Sequence, residues 1–171
     1  MTSADLDDAS SVAEDAFIGL GSNLGDRVAE LDRAFDEIAR LPTTTLVAHS
    51  AYYQSAPLDA PGEDYVNAVG HVRTSLAPLA LLHALQGIEL AHGRERPFPR
   101  APRTLDLDLL LHGATRLRTP ELELPHPRLA ERAFVLAPLA EVAPGLDVPG
   151  RGRVEVLLEA VAGQRLARLK R

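Results

Sequence analysis

The stretch from Thr104 to Leu109 constrains the fold most, because polar and apolar residues alternate along it. Successive side chains of a β-strand point to opposite faces, so a strand would place Thr104, Asp106 and Asp108 on one face and three leucines on the other. The two carboxylates would then point the same way, with their Cα atoms roughly 7 Å apart. Because an uncompensated carboxylate is costly to bury, the pattern predicts a cationic neighbour, either a metal ion or nearby arginines.

Arginines are the first candidate for that neighbour, since four of them and one acid lie between residues 94 and 103. The planar guanidinium group matches phosphate oxygens with two parallel hydrogen bonds, so this loop has the composition of a phosphate clamp. A solvated loop whose arginines pair with surface acids, or with Asp106 and Asp108, has the same composition. The loop by itself leaves both hypotheses open.

A divalent metal ion is the second candidate. Mg²⁺ prefers oxygen ligands and completes its shell with substrate phosphates, so a pair of aspartates suits it. Two such ions, roughly 3.5 to 4 Å apart, could be bridged by Asp106 and Asp108 and hold a transferring phosphoryl group. An exposed edge strand with solvated acids explains the Asp-x-Asp spacing as well. His126, which lies between Pro125 and Pro127, is likewise either a local hydrogen-bonding residue or part of a site.

The order of the predicted elements indicates the fold class. Apolar runs and helical spacing predict strand, helix, strand, strand, helix and strand over residues 16–111. This order is typical of an α+β fold, the ferredoxin-like split βαβ sandwich, with a mixed or antiparallel sheet covered by helices and, here, C-terminal additions. The predicted elements are a strand at Ala16–Leu20, a helix over Val28–Ile38 capped by Ser22 or Asn23, a strand through Val47–Tyr53, a strand at Tyr65–Thr74, and a helix capped by Ser75 and ended by Gly93.

The glycines between Gly19 and Gly25 are interpreted as a structural turn. The segment does not end in the Gly-Lys-Ser/Thr of a P-loop, and its glycine spacing differs from the dinucleotide-binding fingerprint.

Length and charge bound the remaining possibilities. We expect a single domain over residues 15–171, preceded by a disordered acidic extension over residues 1–14. The net charge of -6 argues against binding to nucleic acid or to an anionic membrane surface. Because the chain has no cysteine and no apolar run long enough to span a bilayer, we expect a cytoplasmic protein, and we expect it to be a monomer.

Six motifs in order resemble the 6-hydroxymethyl-7,8-dihydropterin pyrophosphokinase family of folate biosynthesis. Each motif is weakly specific by itself, but the series covers nearly the whole chain. The motifs are Ile18–Gly25, Tyr65–Ala68, Ile88–Arg94, Ala101–Leu110, Pro125–Pro127 and Arg132–Leu139.

The resemblance implies the transfer of pyrophosphate from ATP to the hydroxyl group of a pterin, with release of AMP. It implies that Asp106 and Asp108 bind two Mg²⁺ ions and that Arg94 and Arg103, with the two aspartates, form the catalytic group. Further ATP-binding residues would be Gln86, Arg96, His126 and Arg132. The pterin would bind to Ser55, Ala56, Leu58, Tyr65, Asn67 and Phe134, with Phe134 stacked on the ring.

This chain departs from the family pattern at two places. Many members carry a basic residue, a tryptophan and a glycine before the Pro-Arg pair, whereas this chain has Pro99-Arg100-Ala101. A basic residue expected shortly before Pro125 is replaced by Glu121 or Glu123. Two other functions remain as alternatives: a noncatalytic module that binds an anion through the arginine loop, and a metal-dependent phosphohydrolase.

Overall fold

Two strand-helix-strand units build the central sheet of the protein. The structure is a computed structural model that describes residues 9–56, 63–93 and 105–170. The strands are β1 (Ala9–Ser22), β2 (Thr44–His49), β3 (Tyr53–Ser55), β4 (Tyr65–Leu76), β5 (Asp106–His112), β6 (Leu117–Arg118), β7 (Glu123–Leu124), β8 (Asp147–Val148), β9 (Gly152–Arg153) and β10 (Ala167–Arg168). The helices are α1 (Arg27–Ala39), α2 (Pro78–Ala91), α3 (Ala133–Val142) and α4 (Val154–Ala160), with a 3-10 turn at Leu129–Glu131.

The sheet has the topology that the element order predicts. Its strand order is β10-β3-β4-β1-β5, with β2 also paired to β4, and every described pair in it is antiparallel. Each helix of the split βαβ units connects two strands that are separated by a third, as in ferredoxin-like sandwiches. The α+β prediction is therefore confirmed.

Several predicted boundaries were wrong. Strand β1 begins at Ala9, and Ala9 and Glu14 pair with β4 on either side of an irregularity, although we had assigned residues 1–14 to a disordered extension. Helix α1 is capped by Asp26, whose side chain accepts a hydrogen bond from the N–H of Ala29. Helix α2 has no side-chain cap and begins with Pro78, a residue that suits the first helical position because it lacks an N–H.

The predicted second strand is divided into β2 and β3 at Ser50. The hydroxyl group of Ser50 accepts a hydrogen bond from the N–H of Val69, and the N–H of Ser50 donates to the carbonyl oxygen of the same valine. The hydroxyl group of Ser50 thus takes the place of a backbone carbonyl as the acceptor for the N–H of Val69 in β4. Gly93 has a φ angle of +73° directly after α2, which confirms that it ends the helix.

The two faces of the sheet pack into two separate cores. On the first face, alternate residues of β1 (Ala16, Ile18 and Leu20) pack with α1 and α2. On the second face, Phe17 and Val69 pack with α3 and α4. The leucines of the aspartate segment, residues 105, 107 and 109, belong to the first core, so the aspartates between them face the second side.

The C-terminal additions are attached to the sheet through β10 and Glu141. Strand β10 pairs with β3, and Glu141 near the end of α3 accepts hydrogen bonds from the hydroxyl group of Tyr53 at 2.5 Å and from the N–H of Ala51 at 2.7 Å. Arg168 of β10 lies 3.8 Å from the same carboxylate. Within the described ranges, none of the helices has the length and apolarity that crossing a membrane requires.

Candidate active site

A cavity of about 440 Å³ lies on the second face of the sheet. Its walls come from β3, β4, β5 and the segment that leads into α3, so residues far apart in the chain meet there. Eight residues predicted from the sequence line it: Ser55, Ala56, Tyr65, Asn67, Asp106, Asp108, Arg132 and Phe134.

Two glycines of β1 form the floor of this cavity. The pairing of β1 with both neighbours places Gly21 between Asn67 and Asp106, and Gly19 between Val69 and Asp108. Neighbouring strands are roughly 4.8 Å apart. Where the middle one of three residues side by side on adjacent strands is a glycine, no side chain fills the space between the outer two, which leaves a slot that is two strand spacings wide. Both glycines therefore lie inside a strand. This agrees with the predicted strand at Ala16–Leu20 for Gly19, whereas the prediction that Gly21 belongs to a turn was wrong; the turn begins beyond Ser22.

One wall of the slot is fixed by a buried hydrogen bond between β4 and β3. Asn67 is 4% exposed, and its amide nitrogen Nδ2 donates to the hydroxyl oxygen of Ser55 at 2.7 Å. Tyr65 lies two residues earlier in β4 and lines the same wall. The alternation of β4 had predicted that Tyr65 and Asn67 share a face, and the cavity confirms it.

The opposite wall carries the two aspartates, and His126 lies next to one of them. Asp106 and Asp108 are half-buried, and the Nε2 atom of His126 lies 3.9 Å from Oδ1 of Asp108. The N–H of Arg128 donates to Nδ1 of this histidine at 3.2 Å, which leaves the proton of a neutral ring on Nε2, facing Asp108. Burial lowers the pKa of His126 below its usual value, and the positive charge of Arg132 lowers it further.

Arg132 and Phe134 close the cavity from the side of α3. The guanidinium carbon of Arg132 lies 5.5 Å from the centroid of the Phe134 ring, within the range of a cation–π contact. Arg128 and Glu131 also line the cavity, and our sequence reasoning had missed both. They lie in and next to a 3-10 turn, whose period does not produce the strand or helix pattern on which we relied.

The other predicted site residues are not brought to this cavity by the described part of the chain. Gln86 is exposed on α2 and does not line it, so its role stays a prediction. Leu58, Arg94, Arg96 and Arg103 lie outside the described residues.

The fold and the cavity define a ferredoxin-like α+β protein that presents three carboxylates, two arginines and a slot with a glycine floor around one pocket. Residues 17–144 match the family described as 7,8-dihydro-6-hydroxymethylpterin-pyrophosphokinase (HPPK). The chain belongs to this family of enzymes, which transfer pyrophosphate from ATP to hydroxymethyldihydropterin in folate biosynthesis.

Curated relatives agree with this assignment over most of their length. The chain is 46% identical over 154 residues to the 2-amino-4-hydroxy-6-hydroxymethyldihydropteridine pyrophosphokinase of Pseudomonas aeruginosa, covering 90% of this chain and 95% of that protein. It is 41% identical over 155 residues to the protein of the same name from Haemophilus influenzae, covering 90% and 97%.

Solved structures agree at the level of the fold. A crystal structure of HPPK-DHPS in complex with substrates has a TM-score of 0.72 at 11% identity, covering 88% of this chain and 43% of the other. The chain thus spans less than half of that longer protein.

Proposed function

We propose that pyrophosphate passes from ATP to the pterin in this cavity. Some of the residues that line the cavity would bind the pterin, and others would bind the phosphates and their metal ions. The observation that carries the proposal is the pairing of three strands. The row Asn67–Gly21–Asp106 puts a buried amide and a carboxylate on opposite sides of a bare glycine. A flat heterocycle fits such a slot, with the amide at one end and the phosphates at the other.

The pterin would occupy the side of the slot next to β3 and β4. Asn67 and Ser55 offer fixed hydrogen-bonding groups to the polar edge of the ring, since their mutual bond holds both in place. Phe134 offers an aromatic face, which favours an offset stack with a planar ring. In the undescribed part of the chain, Leu58 would complete the pterin site.

The two aspartates have the chemistry of a Mg²⁺ site. Both carboxylates line one cavity from the same face of β5, and Mg²⁺ is commonly bound by one or two carboxylates together with substrate phosphates. Among the described residues, no three His, Cys, Asp or Glu side chains cluster to form a protein cage. Asp106 and Asp108 would therefore hold two ions jointly with ATP, and the ions would neutralise phosphate charge.

Basic residues would hold the phosphates on the same side. Arg132 lines the cavity, and Arg94, Arg96 and Arg103 would join it from the loop outside the described residues. Burial lowers the pKa of His126, which favours the neutral ring, and a neutral ring would donate its Nε2–H without adding charge. Gln86 would contribute to ATP binding from α2.

The reaction needs positioning more than covalent chemistry from the protein. The pterin hydroxyl group would lose its proton to water, and its oxygen would form a bond to the β-phosphorus of ATP. The bond from that phosphorus to the bridging oxygen of the α-phosphate would break, and AMP would leave with that oxygen. Holding the hydroxyl group and the phosphorus in line converts this bimolecular step into one within a complex, as in other phosphoryl transfers.

An assay of purified protein with Mg²⁺, ATP and the hydroxymethyl pterin tests the proposal. Chromatography should detect AMP and the pterin pyrophosphate. Asp106→Asn or Asp108→Asn should each lower kcat/KM by at least about 100-fold, because each replaces an anionic ligand of the proposed Mg²⁺ ions by a neutral amide. Asp147→Asn is the control, since Asp147 is an exposed acid in β8. Omitting Mg²⁺ should abolish turnover.

The alternative functions predict different products. A phosphohydrolase would release ADP or phosphate from ATP alone, and an anion-binding module would bind ATP without forming AMP. Either result would overturn the proposal, and so would full activity in both aspartate variants.

We further propose that the protein acts as a monomer in the cytoplasm and forms one domain, which includes the start of β1 at Ala9 as well as the predicted residues 15–171. The two cores share a single sheet, which favours one folding unit. Light scattering during gel filtration should give a mass near 18.4 kDa. A mass near twice that value would refute the monomer.

A further inference from the structure

A glutamine from the C-terminal segment holds the backbone at the entrance of α3. The side-chain oxygen Oε1 of Gln164 accepts a hydrogen bond from the N–H of Ala133 at 2.9 Å, and its Nε2 donates to the carbonyl oxygen of Glu131 at 2.7 Å. These two backbone groups flank Arg132, which is extended, with φ -128° and ψ 113°. The amide of Gln164 therefore binds on both sides of one residue, as a neighbouring strand would.

Helix α3 has no capping side chain of its own. Arg132 occupies the N-cap position and makes no side-chain hydrogen bond to the first turn. The N–H of Ala133 is the first of the four amides that an α-helix leaves without a partner inside the helix. Gln164 supplies that partner from a segment 31 residues away.

Arg132, the residue between the two backbone groups that Gln164 binds, lines the cavity, whereas Gln164 does not. Arg132 and Phe134 both line the cavity, and their side chains lie 5.5 Å apart as a cation–π pair. Fixing the backbone on both sides of Arg132 fixes the direction in which its side chain leaves the chain. Gln164 is absent from the cavity lining, so it can act on the site only through these residues.

The same segment also supports the opposite wall. Three residues after Gln164, strand β10 pairs with Tyr53 and Gln54 of β3, and the N–H of Leu169 donates to the carbonyl oxygen of Tyr52 at 2.8 Å. Strand β3 ends at Ser55, which lines the cavity and accepts the hydrogen bond of Asn67. The C-terminal segment thus contacts both the side of the cavity that carries Arg132 and the side that ends at Ser55, where the pterin is proposed to bind.

We propose that Gln164 is a positioning residue for pyrophosphoryl transfer, which acts by holding Arg132 in the orientation that the phosphates require. This inference rests on the proposed function, because it takes Arg132 as a phosphate-binding residue. It assigns the C-terminal segment a part in the reaction, although that segment lies outside residues 17–144 that match the family.

The test compares Gln164→Ala with the control Arg165→Ala, which changes the next exposed residue of the same segment. Gln164→Ala should lower kcat/KM for ATP roughly 5–30-fold, the effect expected when the loss of one or two hydrogen bonds frees a binding group. Gln164→Glu should not restore wild-type kcat/KM, since its carboxylate keeps an acceptor for Ala133 but sets a second acceptor against the carbonyl oxygen of Glu131. Arg165→Ala should match wild type.

A double variant separates positioning from general stability. If Gln164 acts through Arg132, then Gln164→Ala should add little loss in an Arg132→Ala background, giving a non-additive cycle. Binding of a non-hydrolysable ATP analogue, measured by calorimetry, should weaken by a similar factor in Gln164→Ala.

Three results would overturn the inference. They are an unchanged kcat/KM in Gln164→Ala below its unfolding temperature, an additive double variant, and a Gln164→Glu protein with wild-type kcat/KM. A failure of the proposed function looks different, because the wild-type protein would then form no AMP, or Arg132→Ala would retain full activity.

Discussion

Replacing Gly21 by alanine tests whether the bare glycine row is the floor of the pterin slot. A β carbon at this position would lie 3.3 Å from Oδ1 of Asn67 and 3.5 Å from the nearest ring carbon of Tyr65. Only the contact with Asn67 is tighter than ordinary packing, so that side chain must move by a few tenths of an ångström. The hydrogen bond from Asn67 to Ser55 restrains the movement.

The expected effects on stability and on function are of different size. Alanine in a strand is about 0.5–1 kcal/mol more favourable than glycine, which offsets the strain at Asn67, so the free energy of unfolding should change by less than about 1 kcal/mol. In a binding pocket one added methyl group is worth about 1–3 kcal/mol, so kcat/KM for the pterin should fall roughly 10–200-fold. The methyl group would stand between Asn67 and Asp106, where the ring is proposed to bind.

The assay is AMP formation at saturating ATP with varied pterin, together with urea unfolding. Gly87→Ala is the matched control, because this glycine is exposed on α2 and an added β carbon would meet nothing within 4 Å. It should raise the free energy of unfolding by about 1 kcal/mol, through helix propensity, without changing kcat/KM. Wild-type kcat/KM in Gly21→Ala would refute the slot, and so would a loss that appears at saturating pterin while the KM for pterin is unchanged.

Two further predictions concern stability. Gly70→Ala should cost about 1–3 kcal/mol of unfolding free energy, because its β carbon would lie 2.9 Å from the buried ring of Phe35, and Phe35→Leu should recover part of the loss in the same urea experiment. Burial and the Glu141 carboxylate raise the pKa of Tyr53 from 10.0 to about 12. The unfolded chain releases this proton at lower pH than the folded one, so the free energy of unfolding should fall as the pH rises from about 10 to about 12. The fall should be shallower in Tyr53→Phe, and equal slopes in the two proteins would contradict the assignment.

Local periodicity was sufficient to predict much of the fold. Strand β5 and helix α1 were found because their buried residues recur at the periods of a strand and a helix, and burial against one face of the sheet enforces both periods. The N-terminal boundary was missed because residues 9–14 contain small and polar residues with no alternation of large apolar side chains. Ala9 and Glu14 pair with β4 through the backbone, and such pairing leaves no hydrophobic signal in the sequence.

The site was predicted in part by the same logic. Alternation placed Asp106 with Asp108 and Tyr65 with Asn67, since each pair lies on one strand and a strand has only two faces. Gly21 was misread as part of a turn, because a glycine that leaves space between strands looks the same in sequence as one that permits a tight turn. Glu131 carries no periodic signal and was missed.

The sequence by itself determined which residues share a face of each element, together with the family pattern that links them, because both are carried by short segments. Only the tertiary structure decided how those faces are combined. The register of β1 against β4 and β5 sets Gly21 between Asn67 and Asp106 and so makes a slot out of three separate strands. In the same way, the return of the C-terminal segment brings Gln164 to the backbone around Arg132. Such contacts depend on long-range packing, and no single stretch of the chain contains them.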